Sequence, residues 1–155
     1  MTSPPSRPAI DVETEITIAR PRGEVAAYAC EPDNATVWYA NIDSAEWQTP
    51  APLAVGSRFA FVARFLGRRL AYVYEVKELV PDQRFVMATT GGPLTMETTY
   101  TWADAADGAT VMRLRNRGEP SGLASILAPV MAAAVRRANR KDLARLKRIL
   151  ERSVD

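Results

Sequence analysis

Strand-like alternation runs through most of this chain, yet only one stretch is long enough to be a covering helix. That imbalance limits the folds open to it. IDVETEITI (10–18) sets Val12, Thr14, Ile16 and Ile18 on one face and Asp11, Glu13, Glu15 and Thr17 on the other, the pattern of a half-buried strand. Alternation returns in SAEWQ (44–48), SRFAFVARFL (57–66), RRLAYVYEVKEL (68–79), LTMETTYTW (94–102) and ATVMRLRNRG (109–118). QRFVMATT (83–90) also reads as a strand, with both faces mixed. Gly56, Gly67, Pro81-Asp82, Gly91-Gly92-Pro93 and Asp107-Gly108 separate the runs as turns. The result is six or seven antiparallel strands, each with one apolar face, and such a sheet has to bury that face against something.

The cover is the segment 122–152, about 45 Å of helix at 1.5 Å per residue. Leu123, Leu127, Val130, Met131, Ala134, Ala138, Leu143, Leu146, Ile149 and Leu150 keep a helical period. Pro129 lacks an N–H and should kink or restart the helix. Two shorter helical stretches, RPRGEVAAYAC and PDNATVWYAN, follow the first strand. Pro21 and Glu24 sit where helix starts prefer them.

Composition excludes several classes of chemistry. The chain has no histidine and a single cysteine, Cys30, so Ser–His–Asp and Cys–His catalysis are absent and no metal site is expected. Cys30 reads as a small buried hydrophobe rather than a nucleophile, since no base accompanies it. No apolar run approaches the length of a membrane span. Residues 1–9 read as a disordered lead without the features of a secretory signal, so one domain over 10–152 in the cytoplasm is the expectation. Net charge is +2, but residues 136–152 hold eight Arg and Lys against Asp142 and Glu151. Those charges read first as a solvated face. Weak contact with anionic surfaces through Arg136, Arg137, Arg140 and Lys141 is the alternative. No nucleic-acid partner is expected, because no aromatic residue lies within 136–152 to stack on bases.

The order of elements resembles a helix-grip layout, and particular residues carry the resemblance further. ITIARPRGEVAAYACEPDNATVWYANI resembles the opening of the START-like (SRPBCC) superfamily, with Pro21, Val25, Trp38 and Tyr39 at its characteristic places. VGSRFAF, YEVKELVPDQRFVM (with Val76, Pro81 and Arg84), DGATVMRLR and DLARLKRILE resemble later elements in the same order. The likeness spans about residues 10–152 and is nearest to the polyketide cyclase/dehydrase-like bacterial branch. It implies an α+β fold with a sheet curved around the long C-terminal helix. It also implies a cavity between them for a small hydrophobic molecule such as a lipid or polyketide, with no cofactor.

The long helix is alanine-rich from Ala128 to Ala138, which leaves room beside the sheet. Trp38, Phe59, Phe61, Tyr72, Tyr74, Met96, Tyr100, Asn116, Val130 and Ala134 are the candidate ligand-binding residues. Tyr72, Tyr74, Tyr100 and Asn116 have inward parity and polar tips that need partners if buried. Met87 is a soft cavity-liner or plain core, and Tyr39 and Asn41 stand near the mouth. Asp43 and Glu46 approach the rim in undefined directions, while Arg64 and Arg113 have outward parity. The resemblance implies cyclases that steer aldol closure with Arg, Tyr and Trp; the tyrosines are present and an inward arginine is not. Three functions follow: a carrier of a hydrophobic ligand, an aromatase/cyclase-like enzyme, or a regulatory interaction module with a collapsed cavity.

Overall fold

The computed structural model describes residues 10–65, 67–90, 94–120 and 126–152. The lead at 1–9, the break at 91–93 and Leu123 lie outside them. Elements run in the order β1 (Ile10–Ile18), α1 (Arg22–Cys30), a 3-10 turn (Pro32–Asn34), α2 (Ala35–Trp38), β2 (Ile42–Trp47), β3 (Arg58–Phe65), β4 (Arg68–Val80), β5 (Arg84–Thr89), β6 (Leu94–Asp104), β7 (Thr110–Pro120) and α3 (Ala128–Arg152).

The strands form one seven-stranded antiparallel sheet in the order β1-β7-β6-β5-β4-β3-β2. Hairpins join β2 through β7 in sequence, and the two short helices carry the chain from one sheet edge to the other. Left-handed backbone at Asp82, Gly67 and Gly108 turns three of the hairpins. A register shift between Val76 and Glu78 changes which β4 residues face inward beyond that point. It pairs Leu79 with Phe85, and Phe85 and Met87 join the core, which gives β5 the inner face its mixed pattern left open.

The outer face of the sheet is laced with ion pairs. Arg115 makes two bonds to Asp11, at 2.8 and 2.7 Å. Arg113 reaches Glu15 at 2.9 Å and Arg84 reaches Glu78 at 3.0 Å. The inner face holds Val12, Phe59, Phe61, Val76, Tyr100, Trp102, Met112 and Leu114, each at most 5 % exposed.

Pro129 falls in the first turn of α3, where its missing N–H has no intrahelical partner to lose. The helix rests chiefly on β1. Leu143, Leu146 and Leu150 enter the core shared with Ile18, Val25 and Trp38. Burying each such leucine stabilises the fold by about 1.5–3 kcal/mol. Beyond them, Lys147 donates to the Thr17 carbonyl at 2.8 Å and to Glu151 at 2.7 Å. The first half differs: Leu127 is 56 % and Val130 59 % exposed. Their helical period suggested burial, but the stripe they lie on turns away from the sheet.

Candidate functional site

A partly open cavity of about 120 Å³ lies between the sheet and the α1–α2 segment. Phe59, Phe61, Tyr74, Phe85, Met87, Thr98, Tyr100 and Asn116 form its floor, and Ala29, Cys30, Pro32, Ala35 and Tyr39 its roof. The roof is therefore made by the short helices, while α3 borders the spaces beside it. One opening of about 160 Å³ shares Tyr39, Ile42, Tyr74 and Asn116 with the interior and adds Met96, Val135, Ala138, Asn139 and Asp142. A pocket of about 150 Å³ past Tyr72 and Leu70 shares Asn41, Met96 and Val135 with that opening, but no residue with the interior. A wider groove of about 510 Å³ lies between Ala40-Asn41 and Ala133, Ala134, Arg137, Ala138, Lys141 and Asp142. Alanines from 133 to 138 leave this space because they are too short to reach the sheet.

Of the residues singled out in the sequence, Phe59, Phe61, Tyr74, Tyr100 and Asn116 line the interior. Met96 lines the opening, Tyr72 the pocket next to it, and Ala134 the wide groove. Trp38 lies behind the wall. It is fully buried, with its ring 4.0 Å from that of Tyr39 and 5.8 Å from that of Tyr100, centroid to centroid. Val130 points to solvent. Asp43 and Arg64 pair with each other at the surface at 2.9 Å, and Glu46 is exposed.

The polar tips inside are ordered by one another. Tyr39 and Tyr100 share a hydrogen bond with 2.5 Å between their oxygens. Thr98 donates to the Asn116 side-chain oxygen at 2.8 Å, and Tyr74 lines the same cavity. Burial pushes the Tyr74 hydroxyl up to about 12 and raises Tyr39 and Tyr100 as well. All three therefore stay neutral near pH 7, able to donate to a carbonyl but not to act as bases. Burial, helped by Asp82, pushes the Cys30 thiol to about 12, so it remains protonated.

Two side chains at the mouth were not anticipated. Asp142 is 3 % exposed, and one of its carboxylate oxygens accepts the Ala40 N–H at 3.1 Å. Burial lifts its carboxyl to about 6, against the pull of that N–H and of Arg145. Asn139, one turn earlier, is 5 % exposed, and its amide nitrogen has no hydrogen-bond partner among the described residues. An unpaired buried donor costs about 1–3 kcal/mol. The signal was legible in part: residues 139, 142, 143, 146 and 150 share one helix stripe, so a polar residue there is forced inward.

A sheet gripping a long C-terminal helix, with an apolar cavity and a few converging polar groups, defines a START-type helix-grip protein. The chain belongs to the polyketide cyclase/dehydrase and lipid transport family, whose sequence pattern matches residues 9–151. No curated protein matches it in sequence. Solved structures share the fold at low identity. TTHA0849 from Thermus thermophilus is 19% identical, with a TM-score of 0.79 over 92% of this chain and 99% of that one. The Zhui aromatase/cyclase from a Streptomyces species is 15% identical, with a TM-score of 0.78 over 94% and 95% of the two chains. A START superfamily protein from Mycobacterium smegmatis is 13% identical, with a TM-score of 0.70 over 93% and 96%.

Proposed function

We propose that this protein binds a small, neutral, largely apolar molecule that carries hydroxyl or carbonyl groups. One observation carries the reading. An apolar interior converges on neutral tyrosine hydroxyls, and beside its mouth an asparagine amide is buried without a partner among the described residues. A folded protein tolerates such an orphan when a ligand supplies the acceptor. The Asp142 carboxylate beside it accepts a hydroxyl proton, and the cations around the mouth disfavour an amine. The interior alone is smaller than the roughly 300 Å³ of a typical ligand site, so a ligand of ordinary size extends into the opening under Val135.

The test uses two probes with the same apolar body, 2-naphthol and 2-methoxynaphthalene, titrated by fluorescence or calorimetry. The reading expects both to bind and the naphthol to bind about tenfold more tightly. Asn139→Leu should weaken both probes, because its amide donates to the oxygen that each carries, while leaving the fold intact. If neither probe binds, the reading is wrong.

Asp142 also favours a second reading, an enzyme of the kind that the Zhui aromatase/cyclase is. A carboxyl that titrates near 6 is suited to take a proton from carbon next to a carbonyl. The tyrosine hydroxyls would hold the enolate oxygen that results. Ring closure of a short poly-β-ketone thioester should then fall at least about a hundredfold in Asp142→Asn, with 2-naphthol binding changed only a few-fold. Equal turnover in the variant removes this reading.

A further inference from the structure

Among the described residues most cations of the sheet are paired, Arg68 and Arg69 excepted, and most of those on α3 are not. On the sheet Arg58, Arg64, Arg84, Arg113 and Arg115 each face a carboxylate. On α3, Arg136, Arg137, Arg140, Lys141, Arg148 and Arg152 are exposed, and none is in an ion pair with a described residue. The two acidic residues of that helix do not offset them, because Asp142 is buried against Ala40 and Glu151 is paired with Lys147. An exposed apolar cluster leads into the first turn of the same helix. Ile126, Leu127 and Val130 are 74 %, 56 % and 59 % exposed. At 3.6 residues per turn, Ile126, Val130, Ala133, Arg137 and Lys141 fall along one line. The solvent side of α3 is thus apolar through Ala133 and cationic after it.

Unpaired cations attract any polyanion, and the apolar cluster decides between the candidates. Exposed aliphatic side chains gain nothing against a phosphodiester backbone, and this face has no aromatic ring to stack on bases. At a bilayer interface, aliphatic side chains enter the acyl boundary while Lys and Arg lie among anionic headgroups. We propose that this face of α3 docks on an anionic phospholipid membrane, with Ile126, Leu127 and Val130 in the interface and the cations over the headgroups. Arg137 and Lys141 also edge the wide groove beside Asp142, so docking brings one side of that groove to the lipid. The proposal does not depend on what the interior binds.

Flotation of the full chain with vesicles of mixed phosphatidylglycerol and phosphatidylcholine tests this directly. Binding is expected to the mixed vesicles, to be near background on pure phosphatidylcholine, and to fall as salt rises. Arg137→Glu with Lys141→Glu should weaken it roughly a hundredfold, since each reversal replaces an attraction by a repulsion. Ile126→Ser, Leu127→Ser and Val130→Ser together should weaken it at least about tenfold. These side chains are already exposed, so an unchanged melting temperature in that variant separates docking from folding. The idea is overturned by any of three results: no binding to the mixed vesicles, no loss in the serine variant, or tighter binding to a duplex oligonucleotide than to the vesicles.

Discussion

From Asp142 onward α3 is anchored to the rest of the molecule, and before it only Ala128 and Asn139 are buried. The later half sends Leu143, Leu146 and Leu150 into the core and ties its end to β1 through Lys147 and Glu151. The earlier half offers alanines toward the sheet and leaves Val130 in solvent. One continuous helix therefore carries two physical tasks. The docked half supplies apolar burial, and the free half keeps a gap open. Stability should concentrate in one half and ligand access in the other, and substitutions can break that division.

The largest expected effect is on the docked side. Leu146→Ala removes a side chain with no exposure and should cost about 2–5 kcal/mol by urea denaturation. Ala134→Phe, about three turns earlier, should change stability by less than about 1 kcal/mol, because the groove it enters is empty. If Leu146→Ala were as mild as the Ala134 change, the proposed anchoring would be wrong.

The boundary between the halves is marked by Asp142, which supports neither half by its charge. Its carboxyl titrates near 6 in the folded chain against 3.8 as the ordinary value. The folded state therefore holds this proton more tightly than the unfolded state does. Below about 4 both states are protonated and the group contributes nothing. As pH rises toward 6 the penalty grows, and above 6 it is fully present, at roughly 3 kcal/mol. Asp142→Asn keeps an acceptor for the Ala40 N–H and should raise the melting temperature at pH 8 but not at pH 4. A variant no more stable than the parent at pH 8 would contradict the burial argument. A group that lowers stability where it stands is a candidate for function.

Much of this division was readable before any coordinates. Period-two alternation gave the strands and the inward parity of Phe59, Phe61, Tyr74, Tyr100 and Asn116, because a pleated strand leaves a side chain only two directions. A helix leaves many, so Val130 and Leu127 were assigned inward on period alone, and their exposure depends on how α3 tilts against β1. Asn139 and Asp142 were hidden for a related reason. They sit within a run of cations that looks like solvent face, and only their spacing from Leu143 and Leu146 gives them away. That the short helices roof the interior follows from tertiary packing of Ala29, Pro32 and Ala35, which no local pattern encodes.

A smaller test probes the gap itself. Ala134→Phe puts a ring into the groove beside Ala138 and Asp142. If the free half of α3 admits ligand, affinity for 2-naphthol should fall about tenfold with the fold unchanged. Unchanged affinity would mean that ligand reaches the interior past Tyr72 and Val135 instead, and Val135→Phe would then carry the loss.

The smallest effect compares two lysines one and a half turns apart. Lys147, on the docked half, bonds the Thr17 carbonyl and Glu151; Lys141, on the free half, has no ion pair among the described residues. Partly exposed pairs contribute about 0.2–1 kcal/mol, so Lys147→Met should cost about 0.5 kcal/mol and Lys141→Met close to nothing. The difference should shrink in high salt, because it rests on charges that ions screen. If Lys141→Met destabilised as much as Lys147→Met, the earlier half of α3 would be docked in solution, and the gap beside it would close.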